Sequence, residues 1–269
     1  MKTLEEIYNI YTTLHINETL DYNRYNELML IHSSSSMEGS TLTLDETELL
    51  INEGITPKGK PLAHSMMIQD HFKALRLISE IASSSTLDIT PLLLKEIGSK
   101  VMYSTGGEYN SVLGNIDSRK GDFRVSASRA TGGSYYVHHS KINSMINDLC
   151  RNLNESLNNA VKLNDVLTLS SYAHLQLLTI HPFADGNGRS ARLLQNLIML
   201  HKGMPMVIQR HESKGDYIHA IKKSRDKGII EPFVSYITEE MKHHLVIEIK
   251  KYEDMKNSDS KGMTFMINL

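Results

Sequence analysis

The stretch NDVLTLSSYAHLQLLTIHPFADGNGRSARLLQNLIML, residues 164–200, reads as a helix, a tight loop and a second helix. In the first half Val166, Leu169, Ala173, Leu177 and Ile180 recur at three- and four-residue spacings and share one face, with Asn164 or Asp165 available as a cap. In the second half Ala191, Leu194, Leu197 and Ile198 form a similar face, and Gly203 follows as a stop signal. The six residues between, His181-Pro182-Phe183-Ala184-Asp185-Gly186, are too few and too rich in helix breakers to be anything but a turn.

The same rhythm predicts helices over residues 4–20, 21–31, 62–82, 91–102, 139–154, 216–227 and 231–252, so the expected fold class is all-α. The serine runs at 33–36 and 83–85 read as helix-boundary loops. One region alternates instead. Residues 123–127 run Phe, Arg, Val, Ser, Ala, then Thr131-Gly132-Gly133-Ser134 supplies turn chemistry before Tyr135-Tyr136-Val137, which predicts a β-hairpin. Two strands alone are marginal in water, so the hairpin is expected to lie over the helices as a flap.

With 269 residues the chain holds one large domain or two small ones. Its 40% apolar and 22% charged residues suit a globular core and argue against disorder. The lone Cys150 cannot form an intrachain disulfide, and a net charge of -2 gives no global attraction for nucleic acid. The start, MKTLEEIYNI, places two glutamates where a signal peptide keeps an apolar run, and no 18-residue apolar span occurs. A cytoplasmic location, with no membrane or nucleic-acid partner, is the expectation.

The loop carries the chemistry. Gly186 and Gly188 flank Asn187 where a helix starts, and free N–H groups at such a start, backed by the helix dipole, cradle anions. Arg189 and Arg192, three apart, are expected to face one volume with forks suited to phosphate. Asp185 is placed to hold a hard cation such as Mg²⁺ beside phosphate oxygens. His181 titrates near neutrality and is suited to take a proton from an attacking hydroxyl.

HPFADGNGRSAR resembles the Fic-domain motif HxFx[D/E]GNGRxxR, matched at His181, Phe183, Asp185, Gly186, Asn187, Gly188, Arg189 and Arg192. The resemblance extends over roughly residues 60 to 245, taking in Gly106-Gly107-Glu108-Tyr109, the 123–136 segment, Tyr217, Ala220 and Pro232-Phe233. It implies a compact helical bundle with one hairpin flap, divided as a helical region at 1–60, a core at 61–245 and a helix end and tail at 246–269. The first region is also the expected surface for any homodimer. The reaction implied is transfer of AMP from ATP with Mg²⁺ to a Tyr, Ser or Thr hydroxyl of a target protein, the chain itself included. By the same resemblance His181 is the base, Asp185 holds the metal, and Gly186, Asn187, Gly188 and Arg189 cradle the phosphates. Arg192 reaches the γ-phosphate, Tyr217 is a further nucleotide- or phosphate-binding residue, and Phe183 anchors the loop. Phe123, Arg124, Val125, Ser126, Tyr135 and Tyr136 form the flap that docks the target by backbone pairing.

Ser34-Ser35-Ser36-Met37-Glu38-Gly39 fits [S/T]xxxE[G/N], the inhibitory motif of some Fic proteins. Ser34, Glu38 and Gly39 then mark an element in which Glu38 pairs with Arg192 where the γ-phosphate belongs. Alternatives remain at this level: another nucleotide donor, removal of AMP, or a silent nucleotide-binding module. Gly54 to Lys60 spells GxxxxGK, but Pro61 follows where a P-loop needs Ser or Thr, and a turn is expected instead. The 13 histidines show no zinc spacing, and His174 is expected to bond within the core.

Overall fold

The computed structural model describes residues 2–18, 20–127 and 136–259, and within them the chain is helical with one small hairpin. The helices are α1 (Leu4–Thr13), α2 (Leu20–Met37), α3 (Leu44–Glu53), α4 (Leu62–Ala82), α5 (Pro91–Val101), α6 (Ile142–Leu157), α7 (Leu163–Ile180), α8 (Asn187–His201), α9 (Lys214–Lys227) and α10 (Glu231–Asp259). Strands β1 (Glu108–Ser111) and β2 (Gly114–Asp117) pair antiparallel, Glu108 opposite Asp117.

Helix α8 is the axis of the bundle. It packs along α7 on one side and α4 on another, with α5 and α2 touching its remaining surface. Its residues from Ser190 to Met199 are all buried, Arg192, Gln195 and Asn196 included. The apolar stripe expected from sequence is therefore only part of a helix enclosed on every side, whose polar groups must find partners inside the protein. Asn196 does so by accepting from Val207 N–H at 2.8 Å and donating to Val207 O at 3.0 Å, which fixes the segment after α8. A single apolar core links Leu4 of α1 to Leu245 of α10.

Several helices depart from the sequence reading: α1 ends at Thr13 rather than running to residue 20, a short 3-10 turn at Ile16–Glu18 following it, and α10 continues past residue 252 to Asp259. α3 was not expected, although Thr43 and Glu46 make a complete capping box and Gly54 closes the helix with φ +72°. α2 does not stop at residue 31 but runs on through Ser33–Ser36, all four buried. Serine is a poor helix former, yet its small side chain lets the helix approach its neighbours closely, and packing overrides propensity.

The hairpin is also displaced. The observed strands lie at 108–117, whereas residues 123–127 and 136–137 belong to no strand apart from an isolated bridge between Phe123 and Phe183. The turn expected at 131–134, and Tyr135, lie outside the described residues. The GxxxxGK segment follows the Gly54 cap of α3 as a loop and leads to Pro61, the residue before α4.

Two imidazoles, His71 on α4 and His174 on α7, are wholly enclosed. Burial holds both below the ordinary value, His174 at about 3 and His71 well below 6.5 with Arg189 and Arg192 adding to the effect. In the unfolded chain each binds a proton near pH 6.5, so folding is favoured most above that value and loses ground as pH falls toward the folded pKa. The expected result is a urea-unfolding free energy that is flat above pH 7 and declines below pH 6, with these two groups alone contributing a slope that approaches about 3 kcal/mol per pH unit. Stability unchanged from pH 7 to 5 would contradict it.

Candidate active site

The loop between α7 and α8 is clamped from inside. Asn187 accepts from Phe183 N–H at 3.0 Å and donates to Phe183 O at 2.9 Å, so its side chain is a clasp for the turn and is not free for a phosphate. Phe183 points into the core as expected, 5.5 Å from the Phe123 ring. It rests on Gly98, where a Cβ would come within 2.6 Å of its ring, so a glycine makes the seat. Gly186 starts α8 with φ +78°.

His181 caps α7 with φ +52°, a left-handed conformation uncommon outside glycine and typical of functional positions. Its ring stacks on Tyr136 at 3.6 Å and 6°. Arg225 of α9 backs Tyr136, its guanidinium 5.6 Å from that ring and its Nε donating to Thr179 Oγ1 at 3.0 Å. Burial, then the charges of Arg124 and Arg225, push the His181 pKa down to about 4. The imidazole is thus neutral at physiological pH and free to accept a proton.

Arg124 behaves differently from the rest of the expected docking surface. It is buried, and it donates from Nε to His181 O at 2.7 Å, from Nη1 to Ser126 O at 2.7 Å and from Nη2 to Val137 O at 2.6 Å. It therefore ties both arms of the 123–137 segment to the loop between α7 and α8, because a guanidinium placed among carbonyl groups satisfies its own charge and theirs. Val125 is half-buried and Ser126 exposed, and these remain available to a partner. Arg124→Ala is expected to cost at least about 3 kcal/mol of folding free energy, since four donated bonds, the longest to Ile180 O at 3.4 Å, are lost and four carbonyls are left to find new donors. Denaturant unfolding measures this, and a loss below about 1 kcal/mol would be inconsistent with the clamp.

The two motif arginines do not face one volume. Arg189 turns to α5, donating to Val101 O at 3.1 Å and reaching Met102 Sδ at 3.2 Å, where the carbonyl end of that helix attracts a cation. Arg192 turns to α2. Its Nε donates to Ser34 Oγ at 2.7 Å, and Nη2 donates to Ser34 O at 3.1 Å and Glu38 Oε1 at 2.6 Å. Ser34 and Glu38 are four apart and so stack on one face of the last turn of α2. Gly39, with φ +98°, ends the helix, and Ser40 N–H returns to Ser35 O at 3.0 Å. Lys214 of α9, which no sequence pattern singled out, donates to Met37 O at 2.6 Å and holds the turn in place.

Burial alone would raise the Glu38 pKa, but Arg192, with smaller help from Arg189 and Lys214, holds it below the ordinary carboxylate value. The carboxylate lies against Gly188 in the first turn of α8. A Cβ on Gly188 would collide with Glu38 Oε1 and come within 3.2 Å of Arg192 Nη1. Glu38 thus occupies the anion-binding start of α8. Tyr217 is buried and its hydroxyl lies 2.9 Å from His174 Nε2. Asp185 is exposed at the mouth of the loop, one oxygen accepting Gly186 N–H at 2.6 Å. Among the described residues no group of three or more His, Cys, Asp or Glu side chains is gathered for a metal. A single exposed carboxylate suits Mg²⁺ that arrives with phosphate oxygens as its other ligands.

Residues 88–199, which contain α7, this loop and all but the end of α8, match the family model described as Fic/DOC family. That stretch of the chain is similar to the Fic/DOC family. Curated relatives include "Protein adenylyltransferase fic-1" of Caenorhabditis briggsae, 26% identical over 94% of this chain and 46% of that protein. The protein of the same name from Caenorhabditis elegans is 27% identical over 83% of this chain and 41% of its own length. "Protein adenylyltransferase Fic" of Drosophila persimilis is 28% identical over 78% of this chain and 38% of its own. The chain spans less than half the length of these relatives.

Solved structures reproduce the fold. A Fic domain containing signaling protein from Bacteroides thetaiotaomicron superposes with TM-score 0.80 at 21% identity, covering 94% of this chain and 97% of that one. Fic-1 from C. elegans gives TM-score 0.73 at 24% identity over 95% of this chain and 72% of that one. Among the described residues no helix is long and apolar enough to cross a membrane.

Proposed function

We propose that this chain is a protein adenylyltransferase of the Fic/DOC family, held in a resting state by Glu38. The observation that carries the reading is the pairing of Arg192 with Ser34 and Glu38, which puts a carboxylate at the start of α8 directly beside an intact His181 loop. The names of the curated relatives support the activity class.

In the active form the last turn of α2 withdraws and Arg192 takes the γ-phosphate of ATP in place of Glu38. The backbone N–H of Gly188, in the first turn of α8, stabilises charge on the α-phosphate. His181 accepts the proton of a Tyr, Ser or Thr hydroxyl, whose oxygen bonds to the α-phosphorus while the bond to the β-phosphate oxygen breaks and pyrophosphate leaves. Asp185 would hold Mg²⁺, which when bound offsets negative charge on the phosphates. The target lies against Val125 and Ser126, where backbone pairing reads few side chains. A cytoplasmic location, action on the chain itself and a homodimer through the first 60 residues belong to the same proposal.

Transfer from ATP labelled at the α- or the γ-phosphate tests the reaction directly. Label from the α position alone on acceptor protein is the expected result. Label from the γ position instead would make the enzyme a kinase, and none from either, in a nucleotide-binding Glu38→Gly protein, would make it a binding module.

A further inference from the structure

A histidine that acts as a base is commonly oriented by a carboxylate or carbonyl bonded to its far ring nitrogen. His181 lacks such a partner. Its Nδ1 is buried with no hydrogen-bond partner among the described residues, which leaves Nε2 as the nitrogen to meet a hydroxyl. The backbone is fixed, since Arg124 Nε donates to His181 O at 2.7 Å and secures the left-handed φ of +52°. The plane of the ring needs another support.

Tyr136 supplies it. The phenol lies 3.6 Å from the imidazole with 6° between the planes, so the two rings overlap face on, whereas the Phe123–Phe183 and Tyr217–Phe233 pairs are tilted by 56°. Tyr136 is fixed in turn. Arg124 Nη2 donates to O of the adjacent Val137 at 2.6 Å, and the Arg225 guanidinium lies over the phenol, 5.6 Å from its centre. Arg225 Nε donates to Thr179 Oγ1 at 3.0 Å, and that hydroxyl spends its own proton on Leu175 O at 2.7 Å. Thr179 and Leu175 belong to α7, the helix that His181 caps. The support therefore closes on itself, from α7 through Arg225 and Tyr136 to the ring and back to α7.

We propose that Tyr136, with Arg225 over it, orients the base: face-on stacking holds the imidazole plane so that Nε2 meets the acceptor hydroxyl, the task a hydrogen-bonded carboxylate performs in other sites. This rests on His181 as the general base of the proposed transfer. Tyr136 and Arg225 are positioning residues and exchange no proton with substrate. The role requires a flat partner and makes no use of the phenol oxygen.

The test takes Glu38→Gly as parent and adds Tyr136→Phe, Tyr136→Leu, Tyr136→Ala, Arg225→Met and His181→Ala singly. Initial rates of α-label transfer into the proteins of a cell lysate at saturating MgATP are followed across the acid and neutral range, together with the ring-proton NMR signals of His181. Tyr136→Phe is expected to stay within about twofold of the parent, whereas Tyr136→Leu and Tyr136→Ala fall about tenfold or more, because a misaimed base forfeits its alignment. Arg225→Met, which removes only the cation over the phenol, is expected to lose about threefold. Leucine still covers the ring, so its variant keeps the low acid limb near 4 and loses only the ring-current shift of the His181 signals, while alanine lets in water and moves the limb toward about 6.5. Arg124 stays in every variant and Glu38 is absent from all of them, so neither accounts for a difference among them. Tyr136→Leu as fast as Tyr136→Phe overturns the orienter and reduces Tyr136 to a cover. A slow Tyr136→Leu whose His181 signals are unmoved also overturns it, making Tyr136 a docking residue. Parent-like transfer in His181→Ala, or none in the parent, removes the base reading and the orienter with it.

Discussion

Glu38→Gly is expected to raise AMP transfer at saturating MgATP by about a hundredfold or more. The carboxylate and the γ-phosphate compete for one guanidinium, and the competition is unequal before nucleotide arrives because Glu38 is tethered four residues from a second acceptor, Ser34. A charge-assisted bond at 2.6 Å, backed by two to Ser34, must be broken for productive binding. An interaction of about 2.7 kcal/mol in that balance is a hundredfold in rate. Stability moves the other way. Arg192 is buried, and without Glu38 its charge lacks a carboxylate partner, so the nucleotide-free variant melts at a lower temperature and gains more than wild type when MgATP is added. Initial rates with α-labelled ATP and melting curves with and without nucleotide check both halves. Equal rates in the two proteins would sink the inhibitory role of α2.

The second large effect is at His181. In the Glu38→Gly background, His181→Ala is expected to lower transfer by about a thousandfold, within the range for loss of a general base, and to leave nucleotide affinity nearly unchanged. The pH profile adds a distinctive sign. The base works only when neutral, and its pKa is pressed to about 4, so the rate rises with pH through that value and is level from about pH 5 upward. An acid limb near 6.5 would show that Tyr136, Arg124 and Arg225 do not shield the ring during turnover. Weakened nucleotide binding in His181→Ala would mean that the ring supports the phosphate cradle rather than accepting the proton.

Much of this was legible in the sequence because two kinds of signal are local. The α7 and α8 pattern needs only a period of 3.6, and the loop announces itself by glycine at the start of a helix. Phe183 and Gly186 behave as their residue types require. The capping box at Thr43 and Glu46 was equally local, and α3 was readable from it. Other features were not local. Arg189 and Arg192 sit on adjacent faces, and their divergence follows from which acceptors other helices offer, Val101 on one side and Ser34 on the other. The clamp of Arg124 depends on His181 and Val137 coming together in space, and the grip of Lys214 on Met37 spans most of the chain. Ser33–Ser36 read as a loop because serine is a weak helix former, and only the proximity of Arg192 and the neighbouring helices reveals why the helix tolerates it.

That serine run also sets how α2 can open. The body of the helix is held by Tyr22, Leu28, Leu30 and Ile31, all buried, while its final turns are built of residues that contribute little to helix stability themselves. Unwinding from Gly39 backward removes Glu38 and then Ser34, drawing buried Met37 out of the core on the way but leaving Tyr22, Leu28, Leu30 and Ile31 in place. The resting state therefore works as a ratchet pawl on a fixed arm: the helix as a whole stays docked, and its weakest end alone decides whether the site is open.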